Sequence, residues 1–136
     1  MRQAWLYRDA ADPCLLAGRV RVAVGIDALR GLLGRTGMEP QEGLYFPDAI
    51  FGALHSIGMR FHFDALYLDR RGRVRRVLPG VRPGRLCPWD LRTAAALELP
   101  AGTLAATGVA VGDEVRLKTS VQPQKERGAT PEPPRG

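Results

Sequence analysis

Five residues carry side chains that could support binding or acid–base chemistry, and four of them fall in one short stretch. This candidate site consists of His55, Met59, Arg60, Asp64 and Glu98. An imidazole and a thioether four positions apart are ligand types that a soft metal such as copper(I) accepts. The structural alternative, with Met59 in the core and His55 making one hydrogen bond, explains the same pair and is favoured. No metal and no other cofactor is therefore expected.

Asp64 lies inside an apolar strand pattern, where burying a carboxylate is costly unless it is hydrogen-bonded or paired. Either Arg60 or a backbone amide satisfies this carboxylate, or Asp64 lines a polar pocket. A structural or pocket-rim role is favoured over a role as general base.

Glu98 lies between Leu97 and Leu99 on a predicted strand, so the surroundings of its carboxylate must also be explained. Its side chain either faces solvent or shares a cavity with Asp64. In the second case the two carboxylates, with His55, would form a pocket suited to acid–base work or to binding a cation. The spacing along the chain leaves both alternatives open.

The sequence contains no complete catalytic motif, because a Ser-His-Asp order, a P-loop and a dinucleotide fingerprint are all missing. We therefore predict an accessory module, without enzymatic activity, that binds a small ligand or a protein partner. An enzyme or metal-binding protein that uses His55, Asp64 and Glu98 is the alternative, so the question of enzymatic activity stays open. The oligomeric state expected is a monomer or a weak dimer.

The elements that must position these residues centre on a hairpin at 60–78. Phe61, Phe63, Ala65 and Tyr67 fall on one strand face, while the opposite face carries Leu66 and Leu68. Two apolar faces predict a central strand. The segment 69–72 predicts a turn, and the return strand is expected to stop at Pro79-Gly80.

The flanking segments predict strands near 15–24 and 114–117 and short helices near 27–36 and 101–107. The fold class expected is α+β and mostly β, with a compact, barrel-like antiparallel or mixed sheet and two or three short helices. A single domain should cover 1–118. The polar segment 119–136, which contains four prolines, should be a disordered tail.

The formal net charge is +6, and arginine supplies most of the positive charge. Seven arginines fall within 70–85 without one acidic residue. Such a cluster could bind nucleic-acid phosphates through Arg73, Arg75 and Arg76. A solvated hairpin face is favoured, since Trp89 is the one aromatic residue near enough to stack on a base.

Four segments of the chain resemble the DUF192 family of small bacterial and archaeal proteins. They are LHSIGMRFHFDALYLDRRGRV, GLLGRTGMEPQEGLYF, AALELPAGT and TGVAVGDEVRL, which occur in the family's order over about 19–117. His62 departs from the family pattern, which usually has proline there. The resemblance implies a compact, barrel-like β fold with small helices, and it implies no reaction.

The compartment is predicted from the first residues and the cysteines. Charged residues occupy the place of a signal-peptide core, and no apolar run is long enough to span a membrane, so a cytoplasmic protein is expected. Envelope association stays open because many members of the resembled family look exported. Without export, Cys14 and Cys87 should be reduced and partly buried.

Overall fold

The computed structural model describes residues 1–24, 34–49, 56 and 58–119. These residues form seven strands and one short helix. The elements are β1 (Arg2–Tyr7), β2 (Cys14–Val22), β3 (Glu42–Phe46), β4 (Phe63–Leu68), β5 (Val74–Val81), β6 (Ala95–Pro100), α1 (Thr103–Thr107) and β7 (Glu114–Thr119). Within this described part of the chain, no helix is long and apolar enough to cross a membrane.

All seven strands belong to one sheet with the order β5-β4-β6-β3-β2-β1-β7. Strands β2 and β3 pair in parallel, and every other neighbouring pair is antiparallel. The predicted class, α+β and mostly β with a mixed sheet, is therefore confirmed. The central position of β4 is also confirmed, because β5 and β6 flank it and all six of its residues are buried.

The sheet has an apolar layer on each face, as the alternation along β4 predicts. The inner core contains Leu66 and Leu68 of β4 together with residues of β1, β2, β6, α1 and β7. The outer core contains Phe63, Ala65 and Tyr67 of β4, and residues outside the sheet cover it. The side chains of β4 are buried on both faces for this reason.

The barrel is not closed, so the predicted barrel shape holds only loosely. The terminal strands β5 and β7 approach each other at one end, where Arg73 and Glu114 form an isolated bridge. The amide of Val74 donates to the Asp113 carbonyl (2.8 Å), and the amide of Val115 donates to the Gly72 carbonyl (2.8 Å). These bonds form a short seam between the two edges of the sheet.

Gly72 is the residue that the seam depends on most closely. Its φ is +82°, and a Cβ at this position would lie 2.6 Å from the Val115 carbonyl oxygen. Gly84 has a similar φ of +78° but has open space around its Cβ position.

Gly84→Ala should therefore lower the free energy of unfolding by about 1 kcal/mol, for the left-handed backbone alone. Gly72→Ala should cost about 3 kcal/mol in urea unfolding, since it also displaces the seam. Equal losses in the two variants would contradict this account.

Four boundary predictions need correction or concern residues outside the described part of the chain. The first strand of the hairpin begins at Phe63 rather than at position 60, and β5 continues through Pro79-Gly80 to Val81. Proline is tolerated because β5 is a terminal strand, and the pairing with β4 shifts register at this point, as in a β-bulge. The helix expected near 101–107 is confirmed as α1. Most of the helix expected at 27–36 and of the tail at 119–136 lies outside the described residues, while Thr119 ends β7.

Candidate functional site

Asp64 is a structural residue that joins three separate segments. Its side chain is fully buried, and Oδ1 accepts a hydrogen bond from the Gly80 amide (2.8 Å). Oδ2 accepts from the amides of Gly102 (3.1 Å) and Leu104 (2.9 Å), at the start of α1. The backbone-amide alternative is thus confirmed. The bulge at Pro79-Gly80 directs the Gly80 amide toward Asp64 of β4 and so makes this hydrogen bond possible.

Glu98 and Asp64 point to opposite faces of the sheet. In the register of β4 with β6, Asp64 is opposite Leu99, and Glu98 is opposite Ala65. Directly opposed residues project from the same face. Asp64 therefore faces the inner core, whereas Glu98 lies on the face of the outer core. The structure does not bring the two carboxylates together.

The carboxyl group of Glu98 is buried among small and apolar residues. Ala65 and Leu44 are its cross-strand neighbours on the two sides, and the side chain of Glu98 is 4 % exposed. Within the described ranges, no residue donates a hydrogen bond to this carboxyl group or forms an ion pair with it. Burial raises its pKa to about 8, since removal from water penalises the charged form. Glu98 is consequently protonated for the most part at neutral pH.

Cys87 and Tyr67 add two further hydrogen-bonding groups to the outer core. The Tyr67 hydroxyl donates to the Pro88 carbonyl (2.7 Å). Burial raises the pKa of the Cys87 thiol, contact with the Tyr67 hydroxyl opposes that rise, and the nearby charge of Glu98 adds to it. Both cysteines are free thiols, as the sequence predicts. We call Glu98, Cys87, Ala65, Ala96 and Leu44 the Glu98 site.

A groove leads toward this site along the end of β5 and the segment after it. It is lined by residues from Leu78 to Pro88, which include Cys87 and, among the cations, Arg82 and Arg85. Cys87 is shared between the groove and the outer core. Cys87 therefore lies between the groove and the Glu98 site, while Glu98 itself does not line the groove.

Ser56 fixes the segment that carries Met59 against the groove. Its amide donates to the Arg85 carbonyl (2.8 Å), and its hydroxyl accepts from the Arg85 amide (2.8 Å). Met59 packs in the outer core, as the structural alternative predicts, and Arg60 is exposed. His55 lies outside the described residues, so its grouping with Met59 and Glu98 stays a prediction.

Sequence reasoning does not place Cys87 or Tyr67 beside Glu98. Cys87 lies in a segment rich in proline and glycine, and Tyr67 resembles any aromatic residue of a core strand. The available signal is the pair of small residues Ala65 and Ala96, which flank Glu98 on the same face of the sheet. Among the described residues, no three His, Cys, Asp or Glu side chains are close enough to hold a metal ion.

The arginines proposed for phosphate contacts are bound to groups of the protein itself. Arg75 lies 3.2 Å from a carboxylate oxygen of Asp90, and Arg76 lies 3.8 Å from the other. Arg73 donates to the Gly112 carbonyl (3.3 Å). Burial opposes ionisation of Asp90, but the Arg92 amide and the Arg75 guanidinium outweigh it, and the pKa of Asp90 is lowered. The acid that balances this cluster thus comes from outside 70–85.

The fold and the site define a small, open-barrel β protein whose buried Glu98 carboxyl group has no hydrogen-bond or ion-pair partner among the described residues. The model of the DUF192 family, described as "Uncharacterized ACR", matches residues 18–117. The chain belongs to the DUF192 family, as the resemblance of its four segments predicts. A search of curated proteins finds no match.

Two crystal structures share the fold. One is a protein from Sinorhizobium meliloti 1021, provisionally described as a transcription regulator, with 25 % identity and a TM-score of 0.69 over 85 % of this chain and 93 % of the other. The second is a protein of unknown function from Novosphingobium aromaticivorans DSM 12444. It has 21 % identity and a TM-score of 0.71 over 84 % of this chain and 83 % of the other.

Proposed function

We propose that the protein is a binding module for a small, largely apolar molecule that carries a neutral hydrogen-bond acceptor. The observation that carries this proposal is the Glu98 carboxyl group, which is buried and has no partner among the described residues. A protonated carboxylic acid in an apolar wall is a hydrogen-bond donor that a bound acceptor can satisfy. The neighbours of Glu98 on this face, Ala65 and Ala96, have small side chains.

A ligand that reached Glu98 past Cys87 would pass along the groove, whose charges favour a neutral molecule over a cation. Arg82 and Arg85 line this groove, and their positive potential opposes the entry of an amine or a metal ion. The raised pKa of Glu98 also favours a neutral ligand, since the site provides a protonated acid rather than a carboxylate at neutral pH.

The enzyme alternative has less support than the binding module. It requires Asp64, Glu98 and His55 to converge in one pocket. The register of β4 with β6 instead directs Asp64 to the inner core, where three amides occupy it. A paired-carboxylate mechanism therefore has no basis in the described residues.

Nucleic-acid binding is the second candidate function. The net charge and the provisional description of the Sinorhizobium meliloti protein favour it. The pairing of Arg75 and Arg76 with Asp90 weakens it, because those guanidinium groups already have a counter-charge.

Cyclohexanone and cyclohexylamine are matched probes of the proposed site, since they share a shape and differ in charge. We expect cyclohexanone to shift the NMR amide signals of Ala65, Ala96 and Cys87 at a pH of about 6.5. Its affinity should fall about tenfold at a pH of about 9, because Glu98 then loses its proton. Cyclohexylamine should not bind.

Variants at two carboxylates separate this site from a general effect of pH. Glu98→Gln keeps a donor that does not titrate, so cyclohexanone should bind with an affinity independent of pH. Glu98→Ala should abolish binding, and the exposed control Glu39→Gln should behave as the parent protein does. Binding of the amine in place of the ketone, or of neither probe, would overturn the proposal.

A further inference from the structure

Three large apolar side chains are exposed within six positions of the chain. Leu86 is 77 % exposed, Trp89 68 % and Leu91 76 %. Single exposed apolar residues are ordinary on protein surfaces, whereas several in one segment indicate a surface that contacts an apolar partner. These residues belong to the segment 82–92, which links β5 to β6, and we call this segment the 82–92 loop.

The outward charge of the 82–92 loop is positive. Its cations are Arg82, Arg85 and Arg92, and its one acid is Asp90. Asp90 is nearly buried, and it is held by Arg75, Arg76 and the amide of Arg92 (3.0 Å). The negative charge of Asp90 is thus balanced by Arg75 and Arg76 of the protein itself. Within the loop, the charged neighbours of the exposed leucines and the tryptophan that lack a carboxylate partner among the described residues are Arg82 and Arg85.

Two more arginines extend this positive surface on the side of Leu91. Arg70 and Arg71 line a cavity together with Leu91 and Arg92, and two acids, Asp48 and Asp69, share it, so cations outnumber acids there by three to two. Both belong to the β4–β5 turn, so the positive surface combines two segments that are distant in sequence. An extended array of arginines around an apolar centre fits a flat anionic surface better than it fits a small ion.

We propose that the 82–92 loop binds the surface of an anionic lipid membrane. Leucine and tryptophan side chains gain free energy at the boundary between headgroups and acyl chains, and arginines beside them bind anionic headgroups. A nucleic acid would use arginine and tryptophan but would leave both leucines in water. The charge and the aliphatic content together favour the membrane. This inference is independent of the Glu98 site.

The test is co-sedimentation of the whole protein with vesicles of two compositions. We expect binding to phosphatidylcholine vesicles that contain about 30 mol % phosphatidylglycerol and little binding to pure phosphatidylcholine. Leu86→Ser combined with Leu91→Ser should weaken partitioning about tenfold or more. Val111→Ser is the matched control, since Val111 is 64 % exposed in a different loop, and it should change partitioning by less than about twofold.

Charge reversal tests the contribution of the arginines. Arg82→Glu combined with Arg85→Glu should remove the preference for phosphatidylglycerol, while reversal of the exposed Arg21 should preserve it. Thermal melting of every variant verifies that the fold is intact. The proposal is overturned if anionic vesicles do not bind, or if the control variants lose as much partitioning as the loop variants. It is also overturned if duplex DNA binds in a salt-sensitive way that the arginine reversals abolish and the leucine substitutions do not change.

Discussion

Asp64→Ala should lower the free energy of unfolding by about 3–5 kcal/mol. The variant leaves the amides of Gly80, Gly102 and Leu104 without their acceptor in a buried position. Asp64→Asn should lose less, because it keeps one oxygen in place but turns an N–H toward a donor. Urea unfolding measures both losses, and hydrogen exchange at the three amides identifies their origin.

Asp69→Ala is the matched control for this prediction. Asp69 also accepts two backbone amides, from Arg71 (2.8 Å) and Arg73 (2.9 Å), but it does so in a solvent-accessible turn. Water can replace the lost acceptor there, so a loss of about 1 kcal/mol is expected. If Asp64→Ala loses no more than Asp69→Ala, burial does not set the strength of the Asp64 bonds.

The stability of the protein should fall as the pH rises from about 4.5 to about 8. The pKa of Glu98 is raised from 4.5 to about 8 by burial, so the folded chain binds more protons than the unfolded chain across this range. Each step upward in pH therefore favours unfolding, by up to about 5 kcal/mol in total. Urea midpoints at closely spaced pH values measure the slope.

Glu98→Gln should remove this slope, because an amide does not titrate. At a pH of about 8.5 the variant should be more stable than the parent protein, since it avoids a buried negative charge. The exposed carboxylate of Glu39 supplies the control, and Glu39→Gln should keep the slope. A slope that persists in Glu98→Gln would mean that another group causes it.

The sequence is sufficient to predict those features that depend on local periodicity. The two apolar faces of β4 follow from alternation between Phe63 and Leu68, and α1 follows from the short segment between Gly102 and Gly108. Both patterns are complete within a few residues. No distant contact is needed to interpret them.

The features that the sequence leaves open depend on pairing between distant segments. The separation of Asp64 from Glu98 is decided by the register of β4 with β6, and a shift of one residue would put both on one face. The continuation of β5 through Pro79 depends on its place at the edge of the sheet. The anionic partner of Arg75 and Arg76 is Asp90, an acid that only the folded chain brings near them.

The incomplete closure of the barrel has a consequence for colloidal behaviour. A terminal strand presents unpaired amides and carbonyls that can add a strand from another molecule and so begin aggregation. Strand β5 opposes such pairing with Arg75, Arg76 and Pro79, and β7 opposes it with charges at alternate positions. Arg116 of β7 lies over the ring of Tyr7 at 4.1 Å, and Lys118 lies over the ring of Trp5 at 5.5 Å. Both rings belong to β1, and Arg116 also pairs with Glu114 (2.9 Å), so a second copy would have to desolvate these charged side chains to pair with β7.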